Sequence, residues 1–126
     1  MAEAVARALW ARYAPRKVGQ VASLISRKNA QRALLSLEFL PKGSSVLVKK
    51  TLESALSNLG GKLGRKVDPK EAWIKTCKVD QGPALKRIHA GSMGRAFPYK
   101  RKICHLTIVV SDEPESRSFH GTKSTA

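Results

Sequence analysis

The sequence predicts an α+β domain. Three successive segments between residues 15 and 59 space their apolar residues as amphipathic helices do, and two later segments, 71–80 and 103–111, read in composition and alternation like strands. The length of 126 residues and an apolar share of 42% allow one domain with a modest core shared by helices and a small sheet. We therefore expect a single folded domain over residues 1–111.

The chain begins with a segment that is open between helix and strand. Residues 4–13 (AVARALWARY) are rich in alanine, which favours a helix, yet a short apolar stretch before Pro15 is equally typical of a strand. From Pro15 a helix is predicted, because Pro suits the first helical position. Its apolar face consists of Val18, Val21, Ala22 and Ile25. Arg16 and Lys17 fall in the first turn, where a bound phosphate would offset the unfavourable helix dipole, although two solvated side chains would give the same sequence.

Two further helices follow. Asn29 is the predicted N-cap of the second, and Pro41 ends it. Its apolar stripe is Ala30, Ala33, Leu34, Leu37 and Leu40. Ser44 or Ser45 is expected to cap the third helix, and the pair Gly60-Gly61 to end it. Its buried side is Val48, Leu52, Ala55, Leu56 and Leu59. The basic loop 62–66 that follows is a phosphate contact or a solvated linker.

The two strand segments enclose an unusual stretch. In the second strand Cys104, Leu106, Ile108 and Val110 share a face. Residues 82–102 hold scattered apolar residues, no acid, and two glycines flanking Ser92 and Met93, which predicts an extended hairpin with a flexible tip. Two arms of seven or so residues would project roughly 20 to 25 Å. A lone hairpin is marginal in water, so it is either mobile until bound or held by RNA. Residues 112–126, rich in Ser and charged groups, are predicted to form a disordered tail.

Charge predicts the partner. The chain has 24 Lys and Arg against 9 Asp and Glu, a formal charge of +15 and a pI near 10.4. No acid lies between Glu3 and Glu38, and none between Asp80 and Asp112. The cations of these two stretches are Arg7, Arg12, Arg16, Lys17, Arg27, Lys28 and Arg32, and then Lys86, Arg87, Arg95, Lys100, Arg101 and Lys102. A solvated face normally mixes signs, so unmixed stretches predict surfaces covered by phosphate.

Other classes of function find no support in the sequence. There is neither an apolar span of membrane length nor a basic amphipathic helix of the membrane-surface type. Cys77 and Cys104 lack metal-ligand spacing and are interpreted as small core residues. His89, His105 and His120 have no sequence reason to converge, so no catalysis, metal or cofactor is expected. The N-terminus matches no secretory or transit signal, which makes the cytoplasm the expected compartment.

One stretch is distinctive enough to suggest a family. Four short motifs resemble, in order and spacing, the hairpin and closing strand of the large-subunit ribosomal protein family L-twenty-two. They are Gly82-Pro83, Leu85-Lys86-Arg87, Gly94-Arg95-Ala96, and His105 with the run 107–110. Upstream, 15–18 (PRKV) is similar to that family's first helix, and 52–55 (LESA) with Asn58 to its third. The resemblance covers about residues 4–112.

The resemblance implies a fold and a role. The fold is α+β, with three helices packed on a small antiparallel three-stranded sheet and a long protruding hairpin, and it assigns residues 4–13 to a strand. The role is that of a structural constituent of the large ribosomal subunit, not an enzyme, which binds and bridges large-subunit rRNA segments during assembly. Its hairpin lines the polypeptide exit tunnel. The implied partners are rRNA, other large-subunit ribosomal proteins and the nascent chain, without membrane or DNA.

Carried over by position, the resemblance assigns individual residues. The expected rRNA contacts are Arg12, Arg16, Lys17, Lys49, Lys86, Arg87, Arg95, Lys100, Arg101 and Lys102. The expected tunnel-lining tip is Ile88, His89, Ala90, Gly91, Ser92 and Met93. Two positions depart from the family pattern: Ala14 stands where the family often has a capping Ser, and the tip lacks the usual Pro and additional basic residues. The rival functions are a free-standing RNA- or DNA-binding chaperone and a small enzyme.

Overall fold

The computed structural model describes residues 2–114. Over that range the chain forms strand β1 (Glu3–Ala11), helices α1 (Pro15–Ile25), α2 (Ala30–Phe39) and α3 (Ser45–Leu63), and strands β2 (Trp73–Ala90) and β3 (Ala96–Ser111). Short 3-10 helices occupy Pro69–Glu71 and Ser92–Gly94. The predicted α+β fold is confirmed, with all three helices in place.

The sheet is antiparallel, in the order β1-β3-β2. Residues 4–13, open between helix and strand from pattern alone, are therefore a strand as far as Ala11, as the family resemblance implied. The central strand β3 turns Cys104, Leu106, Ile108 and Val110 into the core, as predicted, and all four are fully buried. Helices cover this side of the sheet: α3 packs on β1 and β3, and α1 packs on β2 and β3.

Of the three described α-helices, only α2 begins with a side-chain cap. Asn29 caps α2 as predicted, since its side-chain oxygen accepts a hydrogen bond from the backbone N–H of Gln31 at 3.0 Å. Ser44 occupies the N-cap position of α3 but forms no capping side-chain bond. Ala14 begins α1 without a side-chain cap. The apolar face predicted for α1 is entirely buried.

Four predicted boundaries were wrong. Helix α3 does not end at Gly60-Gly61 but continues to Leu63, and Gly64 ends it in the left-handed conformation with φ of +70°. Gly60 instead allows the returning chain to approach, because a Cβ there would lie 3.0 Å from the Arg65 carbonyl oxygen. The strand predicted as 71–80 begins later, at Trp73, because Pro69–Glu71 form a 3-10 helix. This strand and the one predicted as 103–111 are both longer toward the hairpin, since each continues from the core into a hairpin arm.

The three-stranded sheet changes into the two-stranded hairpin at a pair of bulges. On β1, Leu9 and Trp10 together face the single residue His105 between the pairs Ala8/Leu106 and Ala11/Cys104. On β2, Gly82 and Pro83 face the single residue Ile103 between the pairs Gln81/Cys104 and Ala84/Lys102. Beyond these bulges each hairpin arm has seven paired residues, 84–90 and 96–102, and extends roughly 23 Å at the usual strand rise.

The opposite end of the sheet holds the last described residues. The Ala2 amide donates a hydrogen bond to the Asp112 carboxylate at 3.1 Å, and the Asp112 amide donates to the Ala2 carbonyl at 3.3 Å. The predicted domain boundary at residue 111 therefore falls one residue before this hydrogen-bonded carboxylate. Residues 115–126, most of the predicted disordered tail, lie outside the described residues.

Candidate nucleic-acid interface

The hairpin has two chemically different sides. Directly paired residues of antiparallel strands point to the same side, so the register sorts the side chains. The lysine side, which continues the core side of β3, carries Lys86, Lys100 and Lys102 with Ala84, Ile88, Ala90, Ala96 and Pro98. The arginine–aromatic side, which continues the other side of β3, carries Leu85, Arg87, His89, Phe97, Tyr99 and Arg101. Apart from half-buried Ala84, the side chains of both arms are exposed.

The lysine side is an array of point charges. Lys86 and Lys100 are direct partners across the two arms, and Lys102 follows on the same side nearer the core. Like charges placed opposite each other destabilise a strand pair. Within residues 2–114 no ion pair involves these lysines, whereas Glu3, Glu71 and Asp80 are each paired with a cation elsewhere. This arrangement becomes favourable when polyanionic phosphate lies over it.

The arginine–aromatic side interleaves guanidinium groups with rings. Arg87 is paired with Tyr99, and the guanidinium carbon of Arg101 lies 5.5 Å from the centroid of the Tyr99 ring. Arg87 donates a hydrogen bond from Nη1 to the Lys86 carbonyl oxygen at 2.9 Å. Such surfaces bind nucleic acid through both phosphate contacts and stacking.

The hairpin tip is tightly turned and exposed. The Gly91 amide donates a 2.7 Å hydrogen bond to the Arg95 carbonyl, and both Met93 and Gly94 have positive φ, at 59° and 68°. The Phe97 ring covers Gly91 so closely that a Cβ there would lie 1.9 Å from it. Within the predicted tip, Ile88 and Met93 expose 73% and 95% of their surface. Two large apolar side chains thus project where the domain itself provides no cover.

A second cationic region lies at the base of the hairpin. A cleft of about 280 Å³ is lined by Ala14, Pro15, Arg16, Gln81 and Lys102. It joins the uncapped first turn of α1 to the start of the hairpin arm, so the predicted contacts Arg16 and Lys102 share one site. No acid lies in the first turn of α1. Pro15 has no N–H and the Lys17 and Val18 amides donate to the Ala14 carbonyl, so it is the positive end of the helix dipole that favours an anion there.

The remaining predicted contacts are dispersed. Arg12 is exposed in the turn after β1, and Arg95 is exposed beside the hairpin tip. Lys17 lines a different cleft, with Lys42 and Gln20, whose side chains are hydrogen-bonded at 2.9 Å. Lys49 lies away from the hairpin, in a cleft between α2 and α3 that Glu38 also lines. The structure therefore groups Lys102 of the hairpin with Arg16 and leaves Lys49 apart.

A further basic cleft was not among the predicted contacts. About 470 Å³ in volume, it is lined by Arg27, Lys28, Asn29, Arg32, Leu35, Ser36 and Trp73. Its cations belong to the first acid-free stretch, but their convergence on Trp73 depends on a backbone contact: the Ile74 amide donates to the Lys28 carbonyl at 2.9 Å. In the sequence, the stretch without acidic residues between Glu3 and Glu38 was the signal for the cations of this cleft. That Trp73 lies beside them follows only from the fold.

The described His, Cys, Asp and Glu residues do not form a cluster typical of a metal site. No group of three or more His, Cys, Asp or Glu in residues 2–114 is placed to hold a metal ion. His105 accepts a hydrogen bond at Nδ1 from the Trp10 amide at 3.0 Å, which makes it a structural residue. His120 lies outside the described residues. Among the described helices, none is long and apolar enough to span a membrane.

Comparison with known proteins gives the family. The family model described as ribosomal protein L22p/L17e matches residues 6–111, which is most of the chain. This chain belongs to the ribosomal protein L22p/L17e family. The predicted family is thereby confirmed, and the L22p/L17e match ends at the same residue as β3.

Individual L22p/L17e relatives agree over nearly the whole fold. The protein named large ribosomal subunit protein uL22 from Endomicrobium trichonymphae is 51% identical over 113 residues, covering 87% of this chain and 92% of the relative. The proteins of the same name from Pelotomaculum thermopropionicum and Desulfitobacterium hafniense (strain Y51) are 42% and 41% identical, covering 90% and 91% of this chain. They span 98% and 99% of those relatives. RNA binding and a role in translation fit this family of ribosomal proteins.

Proposed function

We propose that this protein is a structural constituent of the large ribosomal subunit that binds several segments of large-subunit rRNA and bridges them during assembly. We propose further that its hairpin tip, Ile88 to Met93, lines the polypeptide exit tunnel beside the nascent chain. The bridging role joins the hairpin, the α1 cleft and the basic cleft at Trp73, which lie on different elements. One domain with separated cationic sites favours the RNA fold that brings its segments together.

The observation that carries the proposal is the hairpin itself. It extends roughly 23 Å beyond the bulges, bears no acid, and has no buried apolar residue of its own. Exposed two-stranded hairpins are marginal in water, and the facing lysines Lys86 and Lys100 weaken this one further. Packing among phosphates would supply both the missing contacts and the missing negative charge.

The first test removes two hairpin cations. The Lys86→Ala, Arg87→Ala double variant should bind large-subunit rRNA more weakly, and the slope of log affinity against log salt should fall by roughly 1.5 to 2 if both groups contact phosphate. Filter binding of the full chain to rRNA between 50 and 200 mM salt, roughly the range over which such contacts are most visible, measures this.

A matched control separates local contact from total charge. The Lys50→Ala, Lys70→Ala double variant loses the same charge from exposed positions on α3 and the 3-10 helix, outside the hairpin. It should retain a slope near that of the unmodified chain. Equal slopes for the hairpin variant and the unmodified chain would contradict the hairpin as a phosphate contact. A soluble pool with turnover, and no residence in large subunits after a high-salt wash, would support the rival enzyme instead.

A further inference from the structure

Trp10 is an exposed tryptophan at the junction between the core and the hairpin. It lies in the β1 bulge and leaves 62% of its surface open. Tryptophan contributes strongly to cores and interfaces, so an indole left largely exposed on a small domain points to a partner. The neighbouring bulge residue, Leu9, is exposed to a similar extent and offers an internal comparison.

The backbone holds Trp10 in an unfavourable conformation. Its φ is +60°, a left-handed value that residues with a Cβ rarely adopt. Such residues persist where the surrounding structure imposes them, and they cluster at binding sites. The exposed ring is therefore positioned by the fold, in contrast to a surface side chain on regular strand.

His105 supplies the positioning contact. Its Nδ1 accepts the Trp10 amide hydrogen at 3.0 Å, and the two rings meet edge to face with centroids 4.9 Å apart. The other edge of the imidazole abuts the second bulge, since a Cβ at Gly82 would lie 3.1 Å from Nε2. His105 is thus wedged between the two bulges, and Trp10 is fixed relative to the base of the hairpin.

The charges around Trp10 indicate the class of partner. Arg7 and Arg12 flank it on the same segment, and β1 carries no acid after Glu3, which is itself bonded to Lys75. Asp80, the acid paired with His105 across the sheet, forms an ion pair with Lys78. On the same side of β3 as His105, the arginine–aromatic side of the hairpin continues with Arg101 and Tyr99. Rings interleaved with arginine are typical of surfaces that stack nucleobases.

We propose that Trp10 stacks on an unpaired nucleobase of large-subunit rRNA, with His105 as its positioning residue. The proposal rests on the rRNA binding proposed above and adds a contact that does not depend on charge. Stacking tolerates any base, because every base has a π face. Trp10 would therefore anchor one RNA strand at the base of the hairpin, independently of the phosphate contacts along its arms.

Fluorescence gives a direct test. The chain has two tryptophans, so Trp73→Phe leaves Trp10 as the sole indole. On titration of this full-length variant with large-subunit rRNA, Trp10 emission should be quenched and its accessibility to acrylamide reduced. Unchanged emission and accessibility at rRNA concentrations that saturate this variant in filter binding would overturn the stacking contact and leave the proposed function standing. Absence of rRNA binding by the unmodified chain would contradict both.

Substitutions at position 10 give a second test of the stacking contact. Trp10→Ala should weaken rRNA binding about 5- to 100-fold while leaving the salt slope unchanged, because no charge is removed. Trp10→Phe should retain most of the affinity, and Trp10→Leu should lose as much as Ala. Leu9→Ala is the matched control and should bind as the unmodified chain does. Normal binding by Trp10→Leu, or an equal loss with Leu9→Ala, would indicate a general apolar contact and overturn the proposal. If Trp10→Ala fails to fold, the affinity of Trp10→Phe and the quenching measurement still test the stacking contact.

Discussion

Cys77 and Cys104 lie on the core side of the sheet, one on β2 and the other on β3. Burial raises the pKa of Cys77 from 9.0 to about 11. Burial also raises the pKa of Cys104, against a smaller opposing effect of a hydrogen bond with the Tyr13 backbone. Cys104 is fully buried, as predicted for a core residue, whereas Cys77 is half-buried. Both thiols are free and weakly acidic, so neither is placed for nucleophilic chemistry.

The raised pKa of Cys77 predicts slow alkylation in the folded chain. At pH 8 a thiol with that pKa contains about 100-fold less thiolate than an unperturbed one, so iodoacetamide should modify Cys77 about 100-fold more slowly in folded than in unfolded protein. Mass spectrometry of timed samples measures both rates. Similar rates in the two states would contradict the burial effect.

The same shift makes stability depend on pH in a defined direction. A folded-state pKa above the unfolded value means that unfolding releases a proton, so the Cys77 contribution is present below pH 9 and is lost as pH rises toward about 11. Cys77→Ala should therefore flatten the decline in unfolding free energy over that window.

Trp10 marks the limit of prediction at the residue scale. The sequence gives its identity and the cations around it, but its exposure depends on a bulge that places two residues opposite His105. Alternation along 4–13 could not locate that bulge, because the segment itself was compatible with helix or strand. The role of His105 as a structural residue was predictable, since no partner for catalysis was nearby in sequence.

Among the elements, the helices were the most predictable. Their apolar faces repeat with helical spacing, and Pro15, Asn29 and Pro41 mark ends by local chemistry alone. The end of α3 was not predictable, because Gly60-Gly61 satisfies a local stop signal while tertiary contact carries the helix on: Leu63 packs on the core and Lys62 donates to the Glu3 carbonyl at 2.6 Å. The predicted arms of seven or so residues are confirmed, since seven residue pairs follow the bulge.

The hairpin should exchange its amides rapidly in the isolated protein. Its paired backbone is exposed on both sides and lacks buried contacts, so opening should require little free energy. Hydrogen exchange should show weak protection over residues 84–96 and strong protection over 104–110. Comparable protection in the two segments would show that the hairpin is stable without RNA.

At the scale of the whole molecule, the proposed tunnel position can be tested by proximity. A photo-reactive amino acid in place of Met93, which is 95% exposed at the tip, should cross-link to nascent chains in translating ribosomes. Phe39 on α2, which is 81% exposed, provides the control position and should not. Cross-linking from position 39 alone would contradict the proposed orientation.

The Gly82-Pro83 bulge has a consequence for how insertions and deletions act on this chain. Before the bulge, the odd-numbered residues Cys77 and Val79 of β2 lie on the side of the sheet that faces the helices. After the bulge, the even-numbered residues Ala84 and Lys86 lie on that side. The bulge thus shifts the parity of the strand by one. Deleting Pro83 would remove the bulge and keep the pairs from Ala84/Lys102 onward. Deleting Ala84 with the bulge retained would instead place Lys86 opposite Arg101 and Arg87 opposite Lys100, which moves Arg87 onto the lysine side. The composition would keep every cation, yet the two chemical surfaces of the hairpin would be mixed.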